Sequence, residues 1–256
     1  MSRIYLFDQL PFDQLTQAEL FDQVLAWMEK KKNKRHFLLN MNAFGVVTYF
    51  NNQSYRELMN QADLVISDGW GPVFASRLNA KNGQHLKNRL NVGDFLLDLL
   101  TVLAKNKKTV FLIGAREKNL QAAKKKIEEV SGIRVVGQFN GYFSPAAEKD
   151  ILKQIELTQP DLVLLGLGVP KQEEFLWCQR ANLPASVYMV GGGVFNYLAG
   201  DKKRAPVWMR NSGLEWLFRL IQEPFRLFWR YTAINLFFLY YTLSFYLKSK
   251  LKLGSR

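Results

Sequence analysis

The sequence predicts an α/β fold, a doubly wound and mostly parallel sheet of Rossmann type, with a helical, basic appendage at the C-terminus. Three observations predict it. Six short apolar runs recur between residues 36 and 200. They are near-continuously apolar rather than alternating, as expected of strands covered on both faces. Between them lie glycine-rich or polar turns followed by segments with apolar residues at three- and four-residue steps, the helical period.

The opening "MSRIYLFDQLPFDQ" lacks a basic region followed by an apolar core, so it does not read as a secretory signal. It reads as an amphipathic lead-in. Phe-Asp-Gln recurs at residues 7, 12 and 21, a spacing too irregular for a structural repeat. The strands follow as "HFLLN" (36–40), "DLVIS" (63–67), "TVFLI" (109–113), "IRVVG" (133–137), "DLVLLG" (161–166) and "SVYMV" (186–190). Helical patterns such as "VGDFLLDLLTVLAKNK" and "EKNLQAAKKKIEEVSG" separate them, which implies right-handed crossovers and a parallel sheet. Ligands of such sheets bind beyond the carboxyl ends of the strands. That edge collects Asn40, Asn42, Asp68, Gly114, Gly166, Gly168, Lys171, Gln172, Gly192 and Asn196.

Composition changes after Gly200, dividing the chain into a Rossmann-like domain, 1–200, and an appendage, 201–256. Residues 202–256 hold eleven Lys or Arg against Glu215 and Glu223, a balance of +9 out of the chain's +13. The basic character thus belongs to the appendage, where it is interleaved with Trp and Phe. The stretch 231–247 is uncharged over 17 residues and contains four tyrosines. As a helix it would reach roughly 25 Å, short of a hydrocarbon core of about 30 Å. Tyrosines and flanking basic residues suit a helix lying in the membrane interface, with docking on the core or on another subunit as the alternative. Arg219, Arg226 and Arg230 fall within about 40° of one face of an unbroken helix, but Pro224 is expected to kink or restart it. Long apolar runs are unlike a nucleic-acid reader, so no nucleic-acid partner is expected.

Cys178 is the one cysteine, which excludes an intrachain disulfide, and two histidines with no Asp-x-Asp motif leave metal handling of a diphosphate without support. No metal and no cofactor is expected. Charge stabilisation falls to Arg, Lys and helix N-termini.

Glycine-rich turns let backbone amides approach an anion. "IGAREKN", "GLGVPKQ" and "GGGVFNYLAG" are three such turns on one sheet edge, and together they point to a phosphate-bearing ligand. Asp68, in "VISDGWGP", reads equally as a general base or as an Asx-turn or N-cap residue. Glu173 and Glu174 compete for the base role but suit a helix N-terminus better. His85 lies in a polar loop, and His36 opens its strand at the wrong edge.

The phrases "NMNA", "ADLVISDGWGP", "RLNVGD", "PDLVLLGLGVPKQEEF", "VGGGVFNYLAG" and "KRAPVWMRNSGLEWLFRLIQEPFRLFWRY" resemble the WecG/TagA/CpsF family of bacterial glycosyltransferases, in the expected order over roughly residues 36 to 231. The resemblance implies inverting transfer of a sugar (N-acetylmannosamine, its uronic acid, or glucose) from a UDP-sugar to a polyprenyl-diphosphate-linked sugar, at the cytoplasmic face of the membrane. It implies Asp68 as base and Asn42, Arg89 and Gln172 in the pocket. Arg210, Arg219, Arg226 and Arg230 become candidates for the lipid diphosphate, and Arg204 sits with them in the same basic phrase. Many members have Thr where this chain has Asn40, and Asp where it has Asn196, so donor choice is expected to depart from the family's norm. Homo-oligomerisation is left open. Two rival readings remain: a nicotinamide-dependent oxidoreductase or epimerase, which would need a G-x-G-x-x-G that the chain lacks in context, and a non-catalytic nucleotide-binding scaffold at the membrane.

Overall fold

The computed structural model describes residues 2–29, 34–80 and 83–253, with the backbone alone at Arg230, Lys252 and Leu253. It opens with a hairpin in place of the expected amphipathic lead-in: β1 (Ser2–Leu6) runs antiparallel to β2 (Leu10–Gln14). Phe7 and Asp8 turn the chain with left-handed dihedrals, φ 54° and 60°. Asp tolerates that region, whereas Phe is held there by burial and by stacking on Phe245, ring centroids 4.9 Å apart. Each Phe-Asp-Gln sits in a different kind of element: the turn, β2, and helix α1 (Gln17–Glu29).

The expected parallel sheet follows. Its strands are β3 (His36–Met41), β4 (Leu64–Ser67), β5 (Thr109–Gly114), β6 (Arg134–Phe139), β7 (Leu162–Gly166) and β8 (Val187–Val190), in the order β4-β3-β8-β7-β5-β6. All pairings are parallel. Neighbouring residues of one strand feed opposite cores, Leu38 against Leu39, Val110 against Phe111 and Leu164 against Leu165. That is the cause of the unbroken apolar runs: neither face is solvated.

Helices α2 (Ala43–Asn51), α3 (Gln53–Gln61), α4 (Trp70–Leu78), α5 (Val92–Lys105), α6 (Glu117–Ser131), α7 (Glu148–Thr158), α8 (Lys171–Gln179) and α9 (Val194–Leu198) complete the wound layers. Tyr55 and Leu176 join one core, Leu20, Phe95 and Leu120 the other. β4 is an edge strand, and the hairpin blunts it: buried Asp13 accepts from Val65 N at 2.8 Å and is gripped by Arg3 at 2.7 Å. β5 leads outward to β6 while its neighbour β7 leads the other way to β8, so a topological switch point lies between them. Gly114 and Gly166 meet there; a Cβ on Gly114 would lie 2.5 Å from Gly166 O.

At the C-terminus α10 (Val207–Asn211) and α11 (Glu215–Gln222) precede α12 (Pro224–Leu253). Pro224 therefore restarts the helix rather than kinking it, at a first-turn position where its missing N–H costs nothing. The single-helix alignment of Arg219 with Arg226 and Arg230 is broken at that point. α12, about 45 Å long, packs one side on α2 and α4, with Leu227 and Ile234 buried, Phe238 against Gly71 of α4 and Tyr241 stacked on Phe50 of α2 at 4.3 Å. Its other side leaves Phe225, Trp229, Leu236, Phe237 and Tyr240 exposed. Among the described residues no helix is long and apolar enough to cross a membrane.

Candidate active site

A cavity of ≈ 430 Å³ opens over the carboxyl ends of the strands, between the sheet and α11–α12. Its walls come from far apart in the chain. β3 and α2 supply Asn40, Asn42 and Phe44; the end of β4 supplies Asp68; the glycine turns supply Gly166, Gly168 and Gly192; α9 supplies Asn196 and Tyr197. Lys202, Lys203, Arg204, Arg219 and Arg226 form a basic wall opposite.

Asp68 is the acid of the sheet side. Its N–H continues the ladder to Met41 O at 3.0 Å, and Gly69, with φ 121°, then turns the chain into α4. Gly69 is the N-cap of that helix, so the Asp68 carboxylate is not spent on capping. Asn91 Nδ2 donates to its Oδ1, while Oδ2 has no hydrogen-bond partner among the described residues. Burial pushes the Asp68 carboxyl up to about 6, against the opposing pull of Arg219, Arg89 and Arg204. A carboxylate tuned there can accept a proton at neutral pH.

The basic wall is held by carboxylates. Asp94 binds Arg204 at 2.7 Å, Arg89 at 2.9 Å and also Arg210. Burial works to raise the Asp94 carboxyl, but Arg204, Arg89 and Arg210 together hold it below its ordinary value. Glu223 pairs with Lys202 and with Arg226 Nε at 2.8 Å. Arg219 lies 3.4 Å from Glu215 and over the Tyr197 ring at 5.2 Å, and its buried Nε has no hydrogen-bond partner among the described residues. Arg219 lines the cavity, and a guanidinium there presents a planar fork of donors suited to an anion.

Several residues singled out in the sequence stand one layer back. Gln172 is fully buried. Its Oε1 accepts from Gly168 N at 3.2 Å and Gly192 N at 3.1 Å, and its Nε2 donates to Glu173 Oε1 at 2.8 Å. Placed to face a ligand by sequence, it instead ties two glycine turns together, because tertiary burial leaves its amide no open side. Gln172→Ala would leave both backbone donors unpaired. The expected result is a loss of donor affinity of roughly ten-fold, about 1.4 kcal/mol, read by titration calorimetry with the nucleotide.

Lys171 donates to Gly141 O at 2.8 Å, over the Phe143 ring, and does not line the cavity. Gly114 backs Gly166; Arg89 and Arg210 do not line the cavity but pair with Asp94, Arg89 also acting on Asp68 through its charge. The side chain of Arg230 lies outside the described residues. Asn40 Nδ2 ties to Val190 O at 2.7 Å, Asn42 caps α2 through Gly45 N at 3.1 Å, and Asn196 accepts from Asn119 at 2.9 Å. Glu174 accepts from Asn52, whereas Glu173 is fully buried rather than solvated at a helix start, and burial pushes it up to about 8. His36 stacks on Trp27 and His85 contacts Gly83 O, both away from the cavity. The roles of Asn91, Asp94 and Asn119 escape sequence reasoning: Asn91 and Asp94 stand in "RLNVGD", but their partners Asp68, Arg204 and Arg210, like Asn196 for Asn119, lie 23 to 116 residues away. Among the described residues no three His, Cys, Asp or Glu side chains converge as a metal site.

Residues 4–252 match the model of the glycosyl transferase WecG/TagA/CpsF family. A Bacillus subtilis (strain 168) protein named N-acetylglucosaminyldiphosphoundecaprenol N-acetyl-beta-D-mannosaminyltransferase is 35% identical over 175 residues, 68% of this chain and 66% of the relative. Proteins of the same name from Staphylococcus aureus are 28% identical over 212 residues (strain MW2; 83% of this chain, 82% of the relative) and 29% over 210 residues (strain NCTC 8325 / PS 47; 82% and 81%).

Proposed function

The chain belongs to the WecG/TagA/CpsF family of glycosyl transferases, and we propose that it transfers an N-acetylmannosamine-type sugar from a UDP-sugar to N-acetylglucosamine carried on a polyprenyl diphosphate. The observation that carries this reading is the pairing, across one cavity, of a partly buried carboxylate raised to about 6 with five basic side chains. One side suits a sugar hydroxyl, the other a diphosphate.

Asp68 Oδ2 takes the proton of the acceptor hydroxyl as its oxygen bonds to the anomeric carbon of the donor. The bond from that carbon to the diphosphate oxygen breaks, and its electron pair leaves on UDP, inverting the anomeric centre in a single displacement. Arg219, Arg226, Arg204, Lys202 and Lys203 oppose the charge that develops there. No metal takes part in this scheme. Presenting purified protein with a panel of UDP-sugars and a polyprenyl-diphosphate-linked N-acetylglucosamine acceptor, and weighing the lipid product, tests it. Growth of the lipid by one N-acetylhexosamine from the mannosamine donor is expected; no product with any UDP-sugar would sink the reading.

Residues 201–256 act in this proposal as the appendage that brings residues 1–200 to the lipid on the cytoplasmic face. The support is physical: Phe225 is 96% exposed, Trp229 76% and Trp208 65%, beside the +9 of residues 202–256. Apolar area and anionic-lipid attraction add. Trp229→Ser with Phe225→Ser is expected to weaken cosedimentation with vesicles containing anionic lipid at least several-fold, leaving hydrolysis-resistant UDP-sugar binding in solution unchanged. Equal sedimentation of variant and parent removes this surface as the anchor.

A further inference from the structure

The side chain hydrogen-bonded to Asp68 is Asn91, which forgoes an ordinary role to reach it. It occupies the N-cap position of α5, yet makes no side-chain cap bond. An Asn at that position ordinarily accepts from an N–H of the first helical turn. Here both ends of its amide are committed elsewhere: Nδ2 to Asp68 Oδ1, and Oδ1 to Arg204 Nη2 at 3.0 Å. The amide orientation follows from chemistry, since a guanidinium only donates and an ionised carboxylate only accepts. Arg204 is in turn fixed by Asp94 at 2.7 Å and lies 3.5 Å from Glu215. Gly93 leaves room for this arrangement; a Cβ there would lie 3.0 Å from Arg204 Nη1 and 3.2 Å from Asn91 Oδ1.

We propose that Asn91 is a positioning residue for the transfer reaction: it occupies one oxygen of Asp68, leaves the other to face the acceptor hydroxyl, and makes that setting depend on Arg204 of the basic C-terminal segment. The inference rests on Asp68 being the base. The bridge joins a residue at the end of β4 to one beyond α9, so the catalytic carboxylate is set only when the C-terminal segment is seated over the cavity. It also favours the ionised form of Asp68, which the amide donor stabilises. The charged and titratable groups acting on Asp68 are Arg219 and Glu215 from α11, Arg89 from the loop before α5, Arg204, and, from α3, Tyr55.

The test is the pH dependence of kcat and kcat/KM for Asn91→Ala, Asn91→Asp, Gly93→Ala and Asp68→Asn, with UDP affinity measured alongside. Asn91→Ala is expected to lose roughly 10- to 100-fold in kcat, with UDP affinity within about three-fold and the acid limb displaced upward by roughly half to one pH unit. Asn91→Asp, nearly isosteric and able to keep Arg204, sets a second carboxylate against Asp68 and should move the limb further upward. Gly93→Ala removes a glycine from a helix, which favours folding, while its methyl displaces the Arg204 guanidinium. Because Gly93 lines the cavity, its diagnostic is the limb and not the rate, and the limb should again move upward. A rate loss in Asn91→Ala without movement of the limb, or an unmoved limb in either Asn91→Asp or Gly93→Ala, overturns the proposal. Near-normal turnover by Asp68→Asn would instead overturn the base assignment on which it rests.

Discussion

Asp68→Asn is expected to lower kcat by roughly 10³-fold or more, while UDP affinity stays within several-fold. The amide cannot take the acceptor proton, yet it keeps the shape of the site and can still receive the Asn91 bond. The parent enzyme should also lose activity as pH falls through about 6, where the Asp68 carboxyl takes up its proton. Stability should change in the opposite sense. An acid whose folded pKa is raised to about 6 binds more protons folded than unfolded between its ordinary value and 6, so its ionisation opposes folding above that range. Stability contributed by this group rises as pH falls from 6 toward 4, and is lost as pH rises. At neutral pH the variant, with no charge to bury, should be more stable by about 1–3 kcal/mol, seen as a higher urea midpoint. A variant that is inactive and less stable would mean that Asp68 holds the fold instead.

Arg219→Ala carries the second largest expected effect. Arg219 is the largest electrostatic counterweight to the burial of Asp68, and it lines the cavity. In the proposed reaction its removal takes a fixed charge from the leaving diphosphate, with an expected kcat loss of roughly 10²- to 10³-fold. It also takes a cation from Asp68, so the acid limb should move up at the same time. Arg219→Lys keeps the charge but not the planar fork, and should recover the limb more fully than the rate. Steady-state kinetics across pH separates the two effects; a wild-type rate in Arg219→Ala would remove it from the phosphate wall.

The parts of the fold legible in the sequence are those whose cause is local or periodic. Strands covered on both faces must be apolar throughout, and turns that bring Gly114 against Gly166 must be glycine. At the end of β4, Asp68 read equally as a base or as a cap in the sequence; that Gly69 takes the N-cap position of α4 instead becomes visible only in the fold. The hairpin was hidden by Phe7, a side chain that left-handed turns avoid and that only its contact with Phe245 explains. Gln172 looked like a ligand contact because chain position shows which edge a residue reaches, not whether a neighbouring turn closes over it. Asn91 stood in the sequence only as a letter of "RLNVGD", since its partners, Asp68 and Arg204, are joined to it only by tertiary folding. The run 231–247 is uncharged because α12 has two apolar sides, one spent on α2 and one open, a division that hydropathy along the chain does not separate.

The most direct measurement of the central claim is the anomeric configuration of the lipid-linked disaccharide made from an α-linked UDP-N-acetylmannosamine donor in the presence of a chelator, determined by NMR. A single displacement driven by Asp68 predicts a β-linked product formed at an undiminished rate. An α-linked product, or turnover that stops until a divalent metal is restored, would contradict it.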